Sequence, residues 1–290
     1  MNKSVKVMCF SIVVNLTLSV IKIIVGFFGN SGALIADGVH SLSDFGTDFF
    51  AIAGTFFSNK PADENHPYGH GNIEYLTSIG ISIGVTIVGI SIIYEAIVRK
   101  AVIPSILVIL VTIFTIIAKY LLASFILKKG KEYNNHILIA SAKESNMDVI
   151  SSIVVLISSI LIQFSNQVPV LKYSDKVSMF VIGIFIVIVG ISILKENISL
   201  ILGQQVDDEE MKCEIESILL KHNKVHGVMS FILIKFGPHY KFSCTLRMEE
   251  NLSLKEAHKI TEELEEKIKE YNHDINYINI HMEPEQIRQK

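Results

Sequence analysis

The sequence predicts an all-α, six-helix transmembrane domain followed by a small α+β domain of αββαβ order, ferredoxin-like or metallochaperone-like in type. Three observations predict it. Half of the 290 residues are hydrophobic. The apolar residues gather into runs of about 20 residues or more, the length that crosses a bilayer core. After Gly203 the character changes: charges become frequent from Asp207 onward and no apolar run reaches spanning length.

The candidate spans cover roughly 5–28, 32–57, 74–98, 101–127, 137–163 and 177–203. Charge and turn residues separate them: Gly29 to Gly32, Lys60 to Asn72, Arg99-Lys100, Lys128 to Glu132, and Gln167 to Lys176. The first run follows Lys3 and Lys6, but no small-residue cleavage site ends it, so it reads as a span and not a signal peptide. Lys3, Lys6, Lys60, Lys128, Lys129 and Lys131 fall on one side of the bilayer. Arg99, Lys100, Lys172 and Lys176 fall on the other. This bias predicts a multi-pass protein of the cell membrane with both termini in the cytoplasm. The expected domains are 1–204 in the membrane and 205–290 in the cytoplasm.

In the tail, 207–221 has helical spacing, Phe231–Ile234 and Phe242–Leu246 are strand-like, and Gly237-Pro238 marks the turn between them. Leu254 to Tyr271 reads as an amphipathic helix and Ile275 to Met282 as a half-buried strand. A module this small is marginal alone and gains from a partner, a metal or a second copy. The net charge of −3 excludes the basic face typical of nucleic-acid binding. Cys9, Cys213 and Cys244 lie far apart, which argues against both a disulfide framework and a cysteine metal site.

Ionisable groups inside a bilayer are costly and mark function or pairing. The second run holds Asp37, His40, Asp44 and Asp48, whose helical spacing puts them on one face. The fifth holds Glu144 and Asp148, again one helical turn apart, among Ser141, Ser145, Ser151 and Ser152. Two helices that each offer such a pair can meet as a four-ligand cage of the kind zinc takes. Asp37, Asp48, Glu95, Lys22 and Lys119 are read instead as ion pairs that fix helix packing. His40 with Asp44 is read as a ligand pair, because a histidine adds nothing to an ion pair that a lysine would not supply. In the loop after the second run, Asp63, His66 and His70 form a further ligand cluster or a solvated turn with incidental histidines.

Ser31-Gly32-Ala33-Leu34-Ile35-Ala36-Asp37-Gly38-Val39-His40-Ser41-Leu42-Ser43-Asp44, together with Pro61-Ala62-Asp63 through His70-Gly71, resembles the cation diffusion facilitator family of divalent metal/proton antiporters. The resemblance runs over essentially the whole chain. It implies a non-enzymatic transporter that exports a divalent cation (Zn2+, Mn2+ or Fe2+) in exchange for protons. It implies a transport site of His40 and Asp44 with Asp148, and with Glu144 where the family commonly has histidine or aspartate. That glutamate makes an N1O3 set, harder than N2O2, and shifts the balance toward manganese or ferrous iron. If the longer side chain sits away from the ion, Ser145 or water completes the set.

Asp63 and His70 match positions that hold a second ion in the family, with His66 between them. Asn72 stands where relatives often have lysine, so an ion pair to Asp207 is expected to be missing. The tail resembles a copper-chaperone-like sandwich that forms a homodimer. Its His258, His281 and Glu283 match metal positions, whereas Met229 and Thr245 replace histidines of some relatives. His222, His226, His239 and His273 read as surface residues. Two other readings remain: a membrane metal sensor or scaffold, and a di-iron enzyme using the His66–His70 pair. The second needs more histidines than this loop pair and His136 provide.

Overall fold

The computed structural model describes residues 3–58, 60, 62–133 and 136–285. Six long helices come first: α1 (Lys3–Phe28), α2 (Gly32–Ser58), α3 (Ile73–Val98), α4 (Ile106–Glu132), α5 (His136–Leu161) and α6 (Ser174–Ile201). Helices α1, α3, α4, α5 and α6 are long and apolar enough among the described residues to cross a membrane. Helix α2 carries the ionisable residues Asp37, His40, Asp44 and Asp48. Phe27, Tyr94, Ile106, Leu121 and Ile188 stand exposed on the other helices. An apolar outer surface of this kind belongs against lipid, and the chain is a multi-pass membrane protein.

Two boundaries differ from the sequence expectation. Helix α4 begins at Ile106, not near 101, because Pro104 disfavours helix just before it. Ser105 then caps the start, its Oγ accepting from the amide of Leu107 at 3.3 Å. The helix also continues through Lys128–Glu132, expected as a break. Lys129 and Lys131 sit in its last turn, where positive charge complements the unpaired carbonyls. Before α6, the expected loop contains a 3-10 turn at Pro169–Tyr173.

The chain divides into two compact units. The first comprises Met1–Phe50 and Gly80–Leu194, the second Ala51–Ile79 and Lys195–Lys290. In the first, Leu34, Val108, Val155 and Ile186 belong to one buried apolar cluster that joins α2, α4, α5 and α6. Helices α1 and α2 approach closely at Gly38, where a Cβ would lie 2.7 Å from Ile23 Cγ1 and 3.0 Å from Lys22 Cβ. Small residues permit such approach between membrane helices, and this one brings Lys22 alongside Asp37.

In the second unit the tail follows the expected order: α7 (Glu209–Leu220), β1 (Val225–Phe236), β2 (His239–Met248), α8 (Leu254–Tyr271) and β3 (Ile275–Pro284). Strand β2 is central, antiparallel to β1 and parallel to β3. The parallel pairing requires a crossover, which α8 supplies. Ser253 and Glu256 form a reciprocal capping box at its start. Ile260, Leu264 and Ile268 recur at helical spacing and bury one face against Leu233, Phe242 and Leu246. The β1–β2 turn needs Gly237, whose φ is +60° and whose Cβ position lies 2.4 Å from the carbonyl oxygen of Gly71.

Leu264 has no exposed surface, so Leu264→Ala should destabilise this domain by about 2–5 kcal/mol, read by denaturant unfolding of the detergent-solubilised full chain. Burial pushes the Cys244 thiol up to about 12, whereas Cys213 is exposed. The thiolate is the reactive form. Maleimide at pH 8 should therefore label Cys213 in the folded protein and leave Cys244 unmodified until denaturant is added.

Candidate metal centre

The first unit gathers His40, Asp44 and Asp148, each offering one donor atom, with all three donors within 4.8 Å of one another. His40 Nδ1 lies 3.7 Å from Asp44 Oδ2, and His40 Nε2 lies 3.7 Å from Asp148 Oδ1. These spacings exceed direct hydrogen bonds, and the one-donor-per-residue convergence within 4.8 Å leaves room for a cation among the three. His40 and Asp148 are buried and Asp44 is half-buried. Helix periodicity brings His40 and Asp44 onto one face of α2, and α5 supplies Asp148. Phe185 of α6 meets the imidazole edge-on at 5.3 Å between ring centres, which helps to hold the ring's orientation.

Glu144 was expected to join these donors where its side chain reaches the ion. It stands one turn before Asp148 on α5 but is exposed, and it is not among the three converging residues. On the same helix Ser145, Asp148 and Ser152 are buried. The spacing of three and four that runs through them defines the inner face, and Glu144 falls off it. The three converging residues alone give a donor set of one nitrogen and two carboxylates, open to water or a hydroxyl.

Buried ion pairs surround this cluster. Asp37 contacts Lys22 Nζ at 2.7 Å and accepts from Ser151 and Ser152 at 2.6 and 2.8 Å. Lys22 also donates to Ser152 at 2.8 Å. This network is closed, as the pairing reading of Asp37 and Lys22 expects. Lys119 also pairs, but with a residue of the cluster itself: its Nζ donates to Asp148 Oδ2 and, at 3.1 Å, to Ser41 Oγ. The side chain of Asp48 lies outside the described residues, and Glu95 is exposed.

A third buried carboxylate, Asp175 of α6, was not singled out from sequence. It accepts from Ser31 Oγ at 2.7 Å and from the amide of Gly32 at 2.8 Å, while Ser31 Oγ accepts from the amide of Leu34 at 3.1 Å. An anion at a helix N-terminus satisfies its unpaired amides and complements its dipole. The Ser31-Gly32 start of the α2 motif thus fixes where α2 begins.

In the second unit, the donors of Asp63, His66 and His70 also converge within 4.8 Å. Asp63 Oδ1 accepts from the amides of His66 and Asn65 at 2.7 and 3.0 Å and faces His66 Nδ1 at 3.1 Å. His70 Nε2 lies 3.5 Å from Asp63 Oδ2. The backbone amide of His66, ahead of the imidazole and the Asn65 amide, holds the Asp63 carboxyl below its usual range, so Asp63 is an anion at neutral pH. The loop is seated on the sheet of the same unit. Lys241 Nζ lies 3.8 Å from the ring centres of both Tyr68 and Phe236. The Gly237 amide donates to Tyr75 Oη at 3.0 Å. Asn72 precludes a charged pair at its position, and these contacts hold the loop instead.

The C-terminal donors do not converge. His258 faces Glu262 on α8 at 3.4 Å, while His281 faces Glu283 on β3 at 3.9 Å. Both histidines are exposed. Among the described residues they join no group of three donors within one chain. His226, read as a surface residue, pairs with Glu285.

Helices that cross the bilayer and gather a buried histidine, a buried carboxylate and a half-buried one around one point have the make-up of a membrane metal transporter. Comparison with known proteins agrees. Residues 8–202 match the cation efflux transmembrane domain and residues 208–285 match the cytoplasmic domain of cation efflux proteins. The chain belongs to the cation efflux, or cation diffusion facilitator, family of metal-cation exporters. It is 32% identical to an uncharacterized transporter of Methanocaldococcus jannaschii over 88% of this chain and 89% of the relative. It is 27% identical to the manganese efflux system protein MneP of Bacillus subtilis, over 96% of this chain and 95% of MneP. It is 29% identical to the manganese efflux system protein MneS of the same organism, over 94% and 93%.

On α5 the geometry distinguishes the converging Asp148 from the exposed Glu144. His40→Ala and Asp44→Asn should each remove a metal-binding event seen by titration of the purified protein with Mn2+. Glu144→Gln should leave that event unchanged. Asp148→Asn is a poorer probe, since stripping one partner from a buried ion pair costs about 3–5 kcal/mol in its own right.

Proposed function

We propose that this protein exports a divalent cation, manganese foremost, from the cytoplasm in exchange for protons, with His40, Asp44 and Asp148 as the transport site. The observation that carries the reading is the convergence of these three side chains on a buried point between α2 and α5. A set with one imidazole and two carboxylates is harder than one with two imidazoles, which favours manganese or ferrous iron over zinc. The similarity to MneP and MneS supports manganese among these.

Exchange with protons follows from the chemistry of the donors. An imidazole must be neutral and a carboxylate ionised to bind a metal, so metal and proton compete for the same atoms. Exposure to an acidic exterior releases the ion. Exposure to the cytoplasm favours deprotonation and reloading. Movement of helices about a fixed site near the membrane midplane supplies alternating access.

Six spans, with α2 as the polar one, put both termini on the cytoplasmic side by the lysine bias. The C-terminal domain then lies in the cytoplasm and joins two copies as a homodimer. Asp63, His66 and His70 form a second, cytoplasmic metal site. His258, His281 and Glu283 are weaker candidates, because they come together only pairwise within one chain.

Proteoliposomes with an imposed pH gradient test the reading. Mn2+ should accumulate against its gradient when the proton gradient favours exchange, and collapse of that gradient should stop it. The double variant His40→Ala, Asp44→Ala should abolish accumulation. Transport by that variant at the wild-type rate would sink the site assignment, and accumulation indifferent to the pH gradient would sink the antiport.

A further inference from the structure

Among the described residues of the first unit two lysines are fully buried, and they are not equivalent. Lys22 sits in a closed network: its partner Asp37 has one carboxylate oxygen on Ser151 and the other on both Lys22 and Ser152. Nothing in that network reaches toward a ligand. Lys119, 1% exposed, sits differently. Its ammonium occupies Oδ2 of Asp148 and reaches Ser41 Oγ at 3.1 Å. The other oxygen of Asp148, Oδ1, faces His40 Nε2 at 3.7 Å, too far for a strong hydrogen bond. Asp148 therefore has one oxygen committed to a fixed cation and one turned toward the converging donors.

We propose that Lys119 sets the strength of the transport site: it is a tethered cation that restricts Asp148 to one donor oxygen and offsets one of the site's two carboxylate charges. The proposal rests on reading His40, Asp44 and Asp148 as that site. With His40 neutral, Asp44 and Asp148 contribute two negative charges and Lys119 one positive. A bound divalent ion is then under-compensated, with one positive charge left unneutralised, where the two carboxylates alone would neutralise it.

In a low-dielectric interior a unit charge beside a dication weakens binding strongly. The restriction to one oxygen acts in the same direction, because it removes bidentate coordination by Asp148. A site for transport must bind firmly enough to load and weakly enough to release. A lysine held against a ligand keeps the dication from resting in a neutral, three-ligand trap. Lys119 touches the ligand Asp148 and is a positioning residue, acting on the ion through that carboxylate and through its own charge.

The test is Mn2+ binding to the purified full-length protein in detergent, at one fixed pH, by equilibrium titration. The His40→Ala variant identifies which binding event belongs to this site. Lys119→Met and Lys119→Gln remove the charge at similar length, and Lys119→Arg keeps it. Both neutral variants should bind Mn2+ at the His40-dependent site at least about tenfold more tightly than wild type, because a like charge beside the dication is gone. The arginine variant should stay near the wild-type value.

Thermal unfolding gives a second readout. Mn2+ should raise the melting temperature of the neutral variants more than that of wild type, since the metal then becomes the counter-ion of Asp148. Unchanged or weaker His40-dependent binding in the neutral variants overturns the proposal. So does failure of both neutral variants to fold while Lys119→Arg folds, which would make Lys119 a packing counter-ion alone. If His40→Ala leaves Mn2+ binding intact, the site assignment itself fails and the role of Lys119 falls with it.

Discussion

Charge burial among membrane helices is the constraint on which the first unit depends. A charged group in hydrocarbon costs several kcal/mol unless it is paired or faces water, with about 3 kcal/mol as a lower figure for a residue at a helix centre. Here Lys22, Lys119, Asp37, Asp148 and Asp175 are all buried, and each has its compensation on a different helix. Lys22 of α1 answers Asp37 of α2. Lys119 of α4 answers Asp148 of α5. Asp175 of α6 answers the amide terminus of α2. These three pairings tie α2 and α5 to the helices around them. Pairing of this kind is weak evidence for net stability. Its effect is on geometry, because a helix that rotates or slides strands a charge.

This constraint explains why α2 can carry so many polar groups. Its start is fixed by Asp175 through Ser31 and Gly32. Gly38 admits α1 closely enough for Lys22 to reach Asp37. With those two anchors set, helical periodicity dictates where His40 and Asp44 project. The site is thus positioned by residues that do not belong to it. Loss of Gly38 or Asp175 would misplace His40 and Asp44 without touching them.

Much of this was legible in the sequence. The long apolar runs and the alternating strands of the tail are local signals, and the helices and strands fall close to where those signals put them. His40, Asp44 and Asp148 were legible from spacing and polarity, and Asp63, His66 and His70 from their composition. What local patterns left open has physical causes. Glu144 satisfies the same spacing to Asp148 as a ligand would, but spacing alone does not say which side of α5 faces inward; the run of Ser145, Asp148 and Ser152 does. Lys119 was visible as an intramembrane lysine, yet its partner lies in another helix and no local pattern names it. The boundary of α4 at its basic end was missed because lysines at a helix C-terminus read like a loop while they favour the helix. Asp175 lies in a stretch that reads as a connecting loop, and its role appears only once α6 meets α2.

The two three-donor clusters show why donors alone do not specify a site. Each offers imidazole and carboxylate within the same 4.8 Å spacing. Around Asp63 the carboxylate is fixed by backbone amides, and the exposed loop is open to water. Neighbouring charges there are damped by solvent and salt over about 8 Å at physiological ionic strength. Around Asp148 the carboxylate is fixed by an ammonium, and water is largely excluded. Screening by salt is weak there, so a single lysine would bear on an ion at this cluster with most of its Coulomb force. Dipoles of backbone amides can orient a carboxylate while leaving it a full anion, whereas an ammonium orients it and cancels its charge. The same ligand chemistry therefore yields a cluster governed by local hydration in the loop and one governed by charge balance between the helices.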